Sequence, residues 1–354
     1  MSDAGWEKNM NRQFYLDLAA AGLRMPIGTH LILHGHADPQ TIALDGRRLG
    51  AVVLETAERF GTPLAFPLMD LTLEKTALLL ACGVPEAEVD AHHFTVAPPA
   101  PERILLTPRM RASCEAIAHV ATRPDVVPIG MAIGPFSLTT KLMADPITPV
   151  YLAGMGLSAG EDPEVALLER LLSLSELIVH RYLRAQIEAG ARAVIICEPA
   201  ANLVYLSPKQ LSTNPALFER IVMEPMQRIT RMLAASGVDL IFHDCGELTT
   251  DMVRRFATLG AAILSFGSSR RLWEDAALVP KDTILYGNLP TKRFCASELT
   301  PGEVERLAQE LVEKMQTAGH PFILGSECDV LSVPGKETEI LGKVDAFMRC
   351  AYYV

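Results

Sequence analysis

Residues 239–246 read DLIFHDCG, so an apolar run is followed at once by a histidine, a cysteine and a glycine. The same arrangement recurs along the chain, because short apolar runs end in glycine or a polar residue and longer helical segments follow them. The other runs are VVPIGMAIG (126–134), AVIICEP (193–199), AAILSFG (261–267), TILYGN (283–288) and PFILGSECD (321–329). Near-continuous apolar strands that alternate with helices are typical of a parallel sheet covered by helices.

The segments between these runs have the length and apolar spacing of helices, and they cover residues 164–191, 214–237, 248–260 and 300–319. Several of them end in glycine, the residue preferred just after a helix. Thr300 followed by Pro301 is a favoured N-cap and first helical residue. Local signals therefore agree with the alternation of strands and helices.

Six strands of this kind, with room for two more upstream, predict an α/β fold: a single (β/α)8 TIM barrel with an N-terminal helical extension. A doubly wound open sheet is the alternative, although no G-x-G-x-x-G motif follows the first strand. We treat residues 1–354 as one domain, in which about residues 1–100 form the helical part and the first barrel elements. Helices are predicted at 45–61 and 73–83, and a proline-rich connector, VAPPAPERILLTPRM, follows them.

The composition excludes several classes of protein. With 49% hydrophobic and 21% charged residues among 354, the chain can bury a large core. A net charge of −10 argues against a nucleic-acid partner. No apolar stretch approaches the roughly 18 to 20 residues of a membrane span, and the N-terminus lacks a signal-peptide pattern, so we expect a cytoplasmic protein without a membrane partner. The seven cysteines are then expected to be thiols, metal ligands or nucleophiles rather than disulfides.

Polar residues gather where the predicted strands end, which is where barrel enzymes place their active sites. These residues are Glu198, His243, Cys245, Asn288 and the run Glu327-Cys328-Asp329. Because they follow different strands, residues that are distant in sequence can converge on one mouth of the barrel.

His243 and Cys245 are two positions apart, so on a strand they point to the same side and can reach one ion together. Cys328 follows a later strand, with 82 residues between it and Cys245. A nitrogen and two sulfur ligands suit zinc, and three protein ligands leave the fourth position open, as in catalytic sites. The alternative is that these residues are buried filler, since cysteine often serves as a small hydrophobic residue.

The remaining histidines and cysteines form weaker patterns. His34 and His36 follow an apolar run in LILHGHADP, but a third ligand is missing, so we predict a polar loop at a strand end. Cys197 is predicted to be core. Four further cysteines lie in helical or loop segments without a partner pattern, and we predict that they too only fill space: Cys82, Cys114, Cys295 and Cys350.

Several blocks of the chain are similar to one known family. They are PLMDLTLEKTALLLACG (67–83), GMAIGPFSLTTKLM (130–143), IEAGARAVIICEPAANLVYLSPKQ (187–210), FHDCGELTTDMVRRFATLGAAILSF (242–266), ILYGNL (284–289) and FILGSECDV (322–330). Together they resemble the uroporphyrinogen decarboxylase superfamily over most of the chain from about residue 126 onward.

Two branches of that superfamily are relevant. The decarboxylases bind a multiply charged tetrapyrrole with an arginine-rich N-terminal motif and use no metal, whereas AAGLRMPIGTHLI offers only Arg24. The cobamide-dependent methyltransferases, such as methylcobamide:coenzyme M methyltransferases, carry a zinc-binding His-x-Cys…Cys signature. This chain matches that signature at His243, Cys245 and Cys328.

The resemblance to the second branch implies a Zn²⁺ site and a methyl group carried between a corrinoid, a methylcobamide, and a small thiol such as coenzyme M. DLTLEK has the D-x-T-x-E form of that branch, which implies that Asp70 and Glu74 lie near the site. We assign catalysis to these two residues and to Glu198, and cofactor binding to Asn288. Glu198 and Glu327 are the candidates for a fourth zinc ligand.

The chain has no corrinoid-binding D-x-H-x-x-G motif, so a corrinoid protein or a free cobamide is expected as partner. No pattern indicates the oligomeric state. Three alternatives remain: a decarboxylase acting on a porphyrinogen, a methyltransferase that loads a corrinoid protein from a methyl donor, and a non-catalytic cobamide-binding relative.

Overall fold

The computed structural model describes residues 12–351. It contains eight strands: β1 (Arg24–Ile27), β2 (Leu64–Ala65), β3 (Val127–Ile133), β4 (Ala193–Cys197), β5 (Asp239–Asp244), β6 (Ile263–Phe266), β7 (Ile284–Leu289) and β8 (Phe322–Asp329). All neighbours pair in parallel, in the order β1-β8-β7-β6-β5-β4-β3-β2.

The strand order confirms the predicted TIM barrel. Each strand from β2 to β8 lies beside its neighbour in sequence, and β8 then pairs with β1. In a doubly wound sheet the first strand would lie in the interior of the sheet, with the order reversing on either side of it. The open-sheet alternative is therefore wrong.

Side chains connect β1 and β2, the two ends of the hydrogen-bonded order. The Thr29 hydroxyl donates a 2.7 Å hydrogen bond to the carbonyl of Phe66, just after β2. The Thr62 hydroxyl lies 3.3 Å from the sulfur of Met25 in β1. These contacts join the first two strands although they share no ladder within residues 12–351.

Alternate residues of the strands fill the barrel interior. Met25, Ile129, Ile195 and Ile241 belong to this inner cluster, as expected from the two-residue period of a strand. Helix α1 (Arg12–Ala20) covers the end of the barrel at which the strands begin. Its buried Tyr15 joins the cluster, and the Tyr15 hydroxyl donates a 3.0 Å hydrogen bond to Asp239 at the start of β5.

A second and larger cluster lies between the sheet and the surrounding helices. The helices are α2 (Thr29–Leu33), α3 (Pro39–Ile42), α4 (Gly46–Arg59), α5 (Leu73–Ala81), α6 (Pro108–Val120), α7 (Pro135–Lys141), α8 (Ile147–Gly154), α9 (Pro163–Glu188), α10 (Pro208–Thr213), α11 (Pro215–Phe218), α12 (Glu224–Ala235), α13 (Thr250–Phe256), α14 (Leu272–Asp275), α15 (Pro301–Ala318) and α16 (Glu337–Met348). The helices predicted before β3, at 45–61 and 73–83, correspond to α4 and α5.

Local sequence sets the ends of α15. The Thr300 hydroxyl accepts a hydrogen bond from the amide of Glu303, whose carboxylate in turn accepts one from the amide of Thr300, forming a capping box. Pro301 occupies the first helical position, and Gly319 ends the helix in the left-handed conformation.

One prediction of local structure is wrong, and one predicted helix contains an irregular turn. The run before His34 belongs to α2 rather than to a strand, because β1 ends earlier, at Ile27. His34 therefore stacks on His30, four residues back on the helix, with ring centroids 4.3 Å apart. The helix predicted over 214–237 is interrupted by a π-helical turn, Glu219–Met223, just before Pro225, which has no amide hydrogen to donate to a regular helix.

Within residues 12–351, no helix combines the length and the apolar character needed to cross a bilayer.

Candidate metal centre

Two strands that are not neighbours bring three ligand atoms together. His243 lies on β5, Cys245 follows its last residue, and Cys328 lies near the end of β8. One ligand atom from each of the three lies within 4.8 Å of the other two. The structure thus assembles the three residues that the sequence predicted as metal ligands.

A bulge in β8 sets the direction of Cys328. Between its pairings with Met25 and Ile27 of β1, β8 advances from Gly325 to Asp329, so it contains two additional residues. Strict alternation from Gly325 would turn Cys328 away from the interior. The bulge breaks that alternation and allows Cys328 to reach the ligand group.

A hydroxyl on the neighbouring strand contacts the imidazole of His243. Its Nδ1 lies 2.9 Å from the hydroxyl of Ser265, which is paired with His243 on the neighbouring strand β6. Its Nε2 is buried and, within residues 12–351, has no partner that meets the geometry of a hydrogen bond, although the ring lies close enough to Cys245 to lower the pKa of that thiol. In the tautomer that donates Nδ1–H to Ser265, the Nε2 lone pair is available to a metal, as in a metal-bound histidine.

The side chains of Cys245 and Cys328 form a hydrogen bond with each other. The hydrogen bond from the Cys328 thiol lowers the pKa of Cys245 against the opposing effect of burial, and His243 lowers it further. The same hydrogen bond, together with burial, raises the pKa of Cys328. A divalent cation bound between the sulfurs would displace a thiol proton, because the thiolate rather than the thiol is the metal ligand.

The ligand group fits a thiophilic divalent ion. An unpartnered imidazole nitrogen and two adjacent sulfurs match the ligand types that zinc takes, and they leave a coordination position for substrate. The Lys292 side chain adds positive charge nearby. Partial burial lowers the pKa of Lys292, but the Cys245 thiolate and the Glu327 carboxylate outweigh this effect, so the pKa is raised overall.

Glu198 follows β4 and is fully buried. Its carboxylate accepts hydrogen bonds from the amides of Phe136 and Ser137 in the first turn of α7. Burial raises the pKa of Glu198 to about 7, although these hydrogen bonds lower it. Glu198 is not part of the ligand group, so its catalytic role and its role as fourth ligand stay predictions.

Glu327 is 5% exposed, and both of its oxygens accept backbone hydrogen bonds. One accepts from the amide of Ser268, at 2.9 Å, and the other from the amide of Lys292, at 3.3 Å. Glu327 therefore connects β8 to the loops that follow β6 and β7. It too lies outside the ligand group.

Asp70 and Glu74 lie on another side of the barrel mouth, after β2. Asp70 accepts a hydrogen bond from the amide of Thr72 and forms a 2.9 Å ion pair with Arg109. One oxygen of the buried Glu74 accepts from the amide of Ile133 at the end of β3, at 3.1 Å. Its other oxygen is buried, and no residue of the described chain bonds to it. Burial raises the pKa of Glu74 to about 8.

Asn288 is buried at the end of β7 and orders the loop after β6. Its amide nitrogen donates to the carbonyls of Gly267, at 2.8 Å, and Arg270, at 2.9 Å. These contacts hold the loop beside Cys245, because Gly267 packs directly on the Cys245 backbone. The assignment of Asn288 to cofactor binding stays a prediction.

Sequence reasoning missed Ser265. The signal was available, because Ser265 is the polar residue within the apolar run AAILSFG. Its pairing with His243, however, depends on the register between β5 and β6.

Comparisons with known proteins agree with this fold. Residues 31–346 match the family described as Uroporphyrinogen decarboxylase (URO-D). The chain is 29% identical over 199 residues to the uroporphyrinogen decarboxylases of two strains of Thermus thermophilus, a match that covers 56% of this chain and 53% of each relative. The chain thus spans about half the length of the curated relatives it matches.

Among solved structures, a methyltransferase from Methanosarcina mazei has the same fold. The two chains superpose with a TM-score of 0.65 at 17% identity, over 96% of this chain and 98% of that one. This likeness shows a common architecture.

Proposed function

The chain belongs to the uroporphyrinogen decarboxylase family, and from that premise we propose that it is a zinc-dependent methyltransferase that moves a methyl group between a corrinoid and a small thiol such as coenzyme M. The observation that carries the proposal is the group of His243, Cys245 and Cys328 at the mouth of the barrel. The buried, unpartnered Nε2 of His243 supports it, because such an atom is costly unless it has a partner.

His243, Cys245 and Cys328 would hold the ion. A zinc ion there would stabilise the thiolate form of a small thiol and so supply a nucleophile at neutral pH. The thiolate sulfur would bond to the methyl carbon while the cobalt–carbon bond breaks and its electron pair stays on the corrinoid. The two cysteinates reduce the positive charge of the centre, so a thiolate substrate keeps its nucleophilicity.

The donor set favours a thiol as methyl acceptor. Sulfur-rich zinc sites stabilise thiolates, whereas transfer from a methyl donor onto a corrinoid has no need of a thiolate. The methyl group would arrive on a separate corrinoid protein or on a free methylcobamide.

Decarboxylation of a porphyrinogen is the second candidate, and similarity to the Thermus thermophilus decarboxylases favours it. A multiply charged tetrapyrrole needs cationic side chains at the barrel mouth. Arg24, the arginine that the N-terminal segment offers, is the first residue of β1 and lies at the opposite end of the barrel from the ligand group. This placement favours the methyltransferase.

The first experiment is elemental analysis of the wild type and of Cys245→Ala and Cys328→Ala, all purified without chelators. We expect about one zinc per wild-type chain and loss of zinc in both variants, because each change removes one of three ligands. Circular dichroism should show a folded barrel in all three proteins. Full zinc content in either variant would contradict the ligand assignment.

An activity assay then separates the candidates. Wild type is incubated with methylcobalamin and coenzyme M, and in parallel with uroporphyrinogen. Thiol methylation that disappears in Cys328→Ala supports the proposal. Porphyrinogen decarboxylation that survives Cys328→Ala would establish the decarboxylase. Methylation of a reduced corrinoid from a methyl donor alone would establish the loading reaction, and zinc binding without turnover in any assay would favour a non-catalytic relative.

A further inference from the structure

The separation of Cys245 and Cys328 is not set by strand pairing, because β6 and β7 lie between β5 and β8. Two residues that follow β7 contact the backbone of both cysteines instead. The Thr291 hydroxyl donates to the carbonyl of Cys328, at 3.4 Å, and the Lys292 ammonium donates to the carbonyl of Cys245, at 3.2 Å. One short stretch of chain therefore spans the two sulfur ligands.

Glu327 fixes this stretch from the side of β8. It accepts from the amide of Lys292 with one oxygen and from the amide of Ser268 with the other. The loops after β6 and β7 are therefore connected to the residue that precedes Cys328. Because the carboxylate is buried and both of its oxygens are used, the connection has little freedom to rearrange.

A buried lysine holds the same stretch from the outer side of the barrel. Lys343 of α16 is 1% exposed, and its ammonium donates to the carbonyls of Phe294, at 2.6 Å, and Ala296, at 2.9 Å. Its third donor binds Glu339, one turn earlier on the helix. All three donors are thus used, as burial of an ammonium requires.

A second lysine adds to this support. Lys336, just before α16, donates to the carbonyl of Cys295, at 2.6 Å. Three consecutive carbonyls, those of residues 294 to 296, therefore accept from two lysines of the C-terminal segment. A simple surface loop would leave such carbonyls to water.

We infer that residues 291–296 act as a spacer that sets the distance between Cys245 and Cys328, and that Lys343 is a positioning residue for the metal centre. The inference rests on the proposed function, since it concerns the affinity of the centre for zinc. Lys343 acts only through the backbone of the spacer. This positioning role gives a reason for the buried charge of Lys343, which takes no part in the proposed chemistry.

The test measures zinc affinity by competition with a chromophoric chelator in Lys343→Met. Methionine retains most of the volume but leaves the carbonyls of residues 294 and 296 without their donor. We expect a loss of affinity of about 10-fold, the lower end of the range found when groups that directly orient metal ligands are removed, because Lys343 acts on the ligands only through the spacer. The matched control is Val344→Ala, which alters the next buried residue of α16 and leaves the spacer contacts intact.

A merely structural role for Lys343 predicts a different pattern. Lys343→Met and Val344→Ala would then lower Tm and leave zinc affinity equal to wild type. Cadmium substitution gives a second readout, because cadmium–thiolate absorption reports directly on the two sulfurs. We expect that absorption to weaken in Lys343→Met and to equal that of the wild type in Val344→Ala.

Lys292→Met keeps the inference testable if Lys343→Met does not fold, because Lys292 is exposed. Its control is Arg293→Met, which removes the same charge one residue later. In the described part of the chain, the Arg293 side chain makes no hydrogen bond to either cysteine. We expect zinc affinity to fall in Lys292→Met and to stay unchanged in Arg293→Met. Equal affinity in Lys292→Met and wild type would overturn the spacer while leaving the zinc methyltransferase proposal intact. Absence of zinc binding in the wild type would instead overturn the proposed function and the metal centre on which the inference rests.

Discussion

Ser265 shows how one side chain prepares a ligand. It is fully buried on β6, and its hydroxyl lies against Nδ1 of His243. This contact holds the ring in one orientation, and an Nδ1–H that donates to the hydroxyl is compatible with a metal on Nε2. Without the hydroxyl, the imidazole could rotate away from this orientation.

We predict that Ser265→Ala lowers zinc affinity about 10- to 100-fold without abolishing binding, because the three ligands remain but one loses its orientation. Chelator competition measures the change. Ser175→Ala is the matched control: Ser175 is also fully buried, but its hydroxyl bonds to Thr139 on α7. Similar affinities in Ser265→Ala and the control would show that Ser265 has no role at the centre.

Glu327 illustrates the limit of residue-level reasoning. Its carboxylate, next to Cys328 in sequence, was a reasonable candidate for a fourth ligand. In the folded chain its oxygens accept from the amides of Ser268 and Lys292, which come from two other loops. No local pattern indicates these partners, because they are 59 and 35 residues away.

Helix α7 depends on a carboxylate supplied by another element. Gly134 precedes the helix and has no side-chain cap of its own. Glu198, from the end of β4, provides the acceptors for the first amides of the helix. A carboxylate at this position also interacts favourably with the helix dipole.

We predict that Gly134→Ala destabilises the protein by about 1 to 3 kcal/mol, as overpacking commonly does. A Cβ atom at residue 134 would clash with Oε2 of Glu198, so the carboxylate would have to leave the helix. Urea unfolding of the variant and of the wild type measures the difference in their free energies of unfolding. Gly302→Ala, in the first turn of α15 with open space around its Cα, is the control and should leave the stability unchanged or higher. A Gly134→Ala variant as stable as wild type would refute the close contact.

The whole barrel carries buried carboxylates near the mouth, and they connect its stability to pH. Burial raises the pKa of Glu74 to about 8, from an ordinary value of 4.5. The folded state therefore holds this proton more tightly than the unfolded state. Its contribution to stability is complete below the unfolded pKa and is lost as pH rises toward 8.

We predict that Glu74→Gln removes this dependence. Between pH 5.5 and 7.5, the free energy of unfolding of the variant relative to wild type should rise by about 1.4 kcal/mol per pH unit, the value for one proton. Urea titrations of both proteins across this range measure the difference, in which effects common to both cancel. Glu102→Gln, at an exposed position, is the control and should show a flat difference. A flat difference for Glu74→Gln as well would mean that Glu74 is ionised in the folded barrel.

At this scale much of the architecture was predictable. The six apolar runs became β3 to β8, and the segments between them became helices or, in one case, a helix broken at a π turn. The strands β1 and β2 were not located, because four and two residues are too short to show a period. The run before His34 was predicted to be a strand because α2, with five residues, is also too short to show the period of a helix.

By itself, the sequence determined the fold class and named three candidate ligands, because apolar periodicity, helix caps and the spacing of His243 and Cys245 act over a few residues. Only the tertiary structure decided which backbone groups the polar side chains at the barrel mouth contact. Glu198 and Glu327 accept hydrogen bonds from backbone amides of other elements, the amide nitrogen of Asn288 donates to two carbonyls, and the register of β8 shifts just before Asp329. The reason is physical: a hydrogen bond or a register shift between distant segments depends on how the strands assemble, which no local pattern encodes.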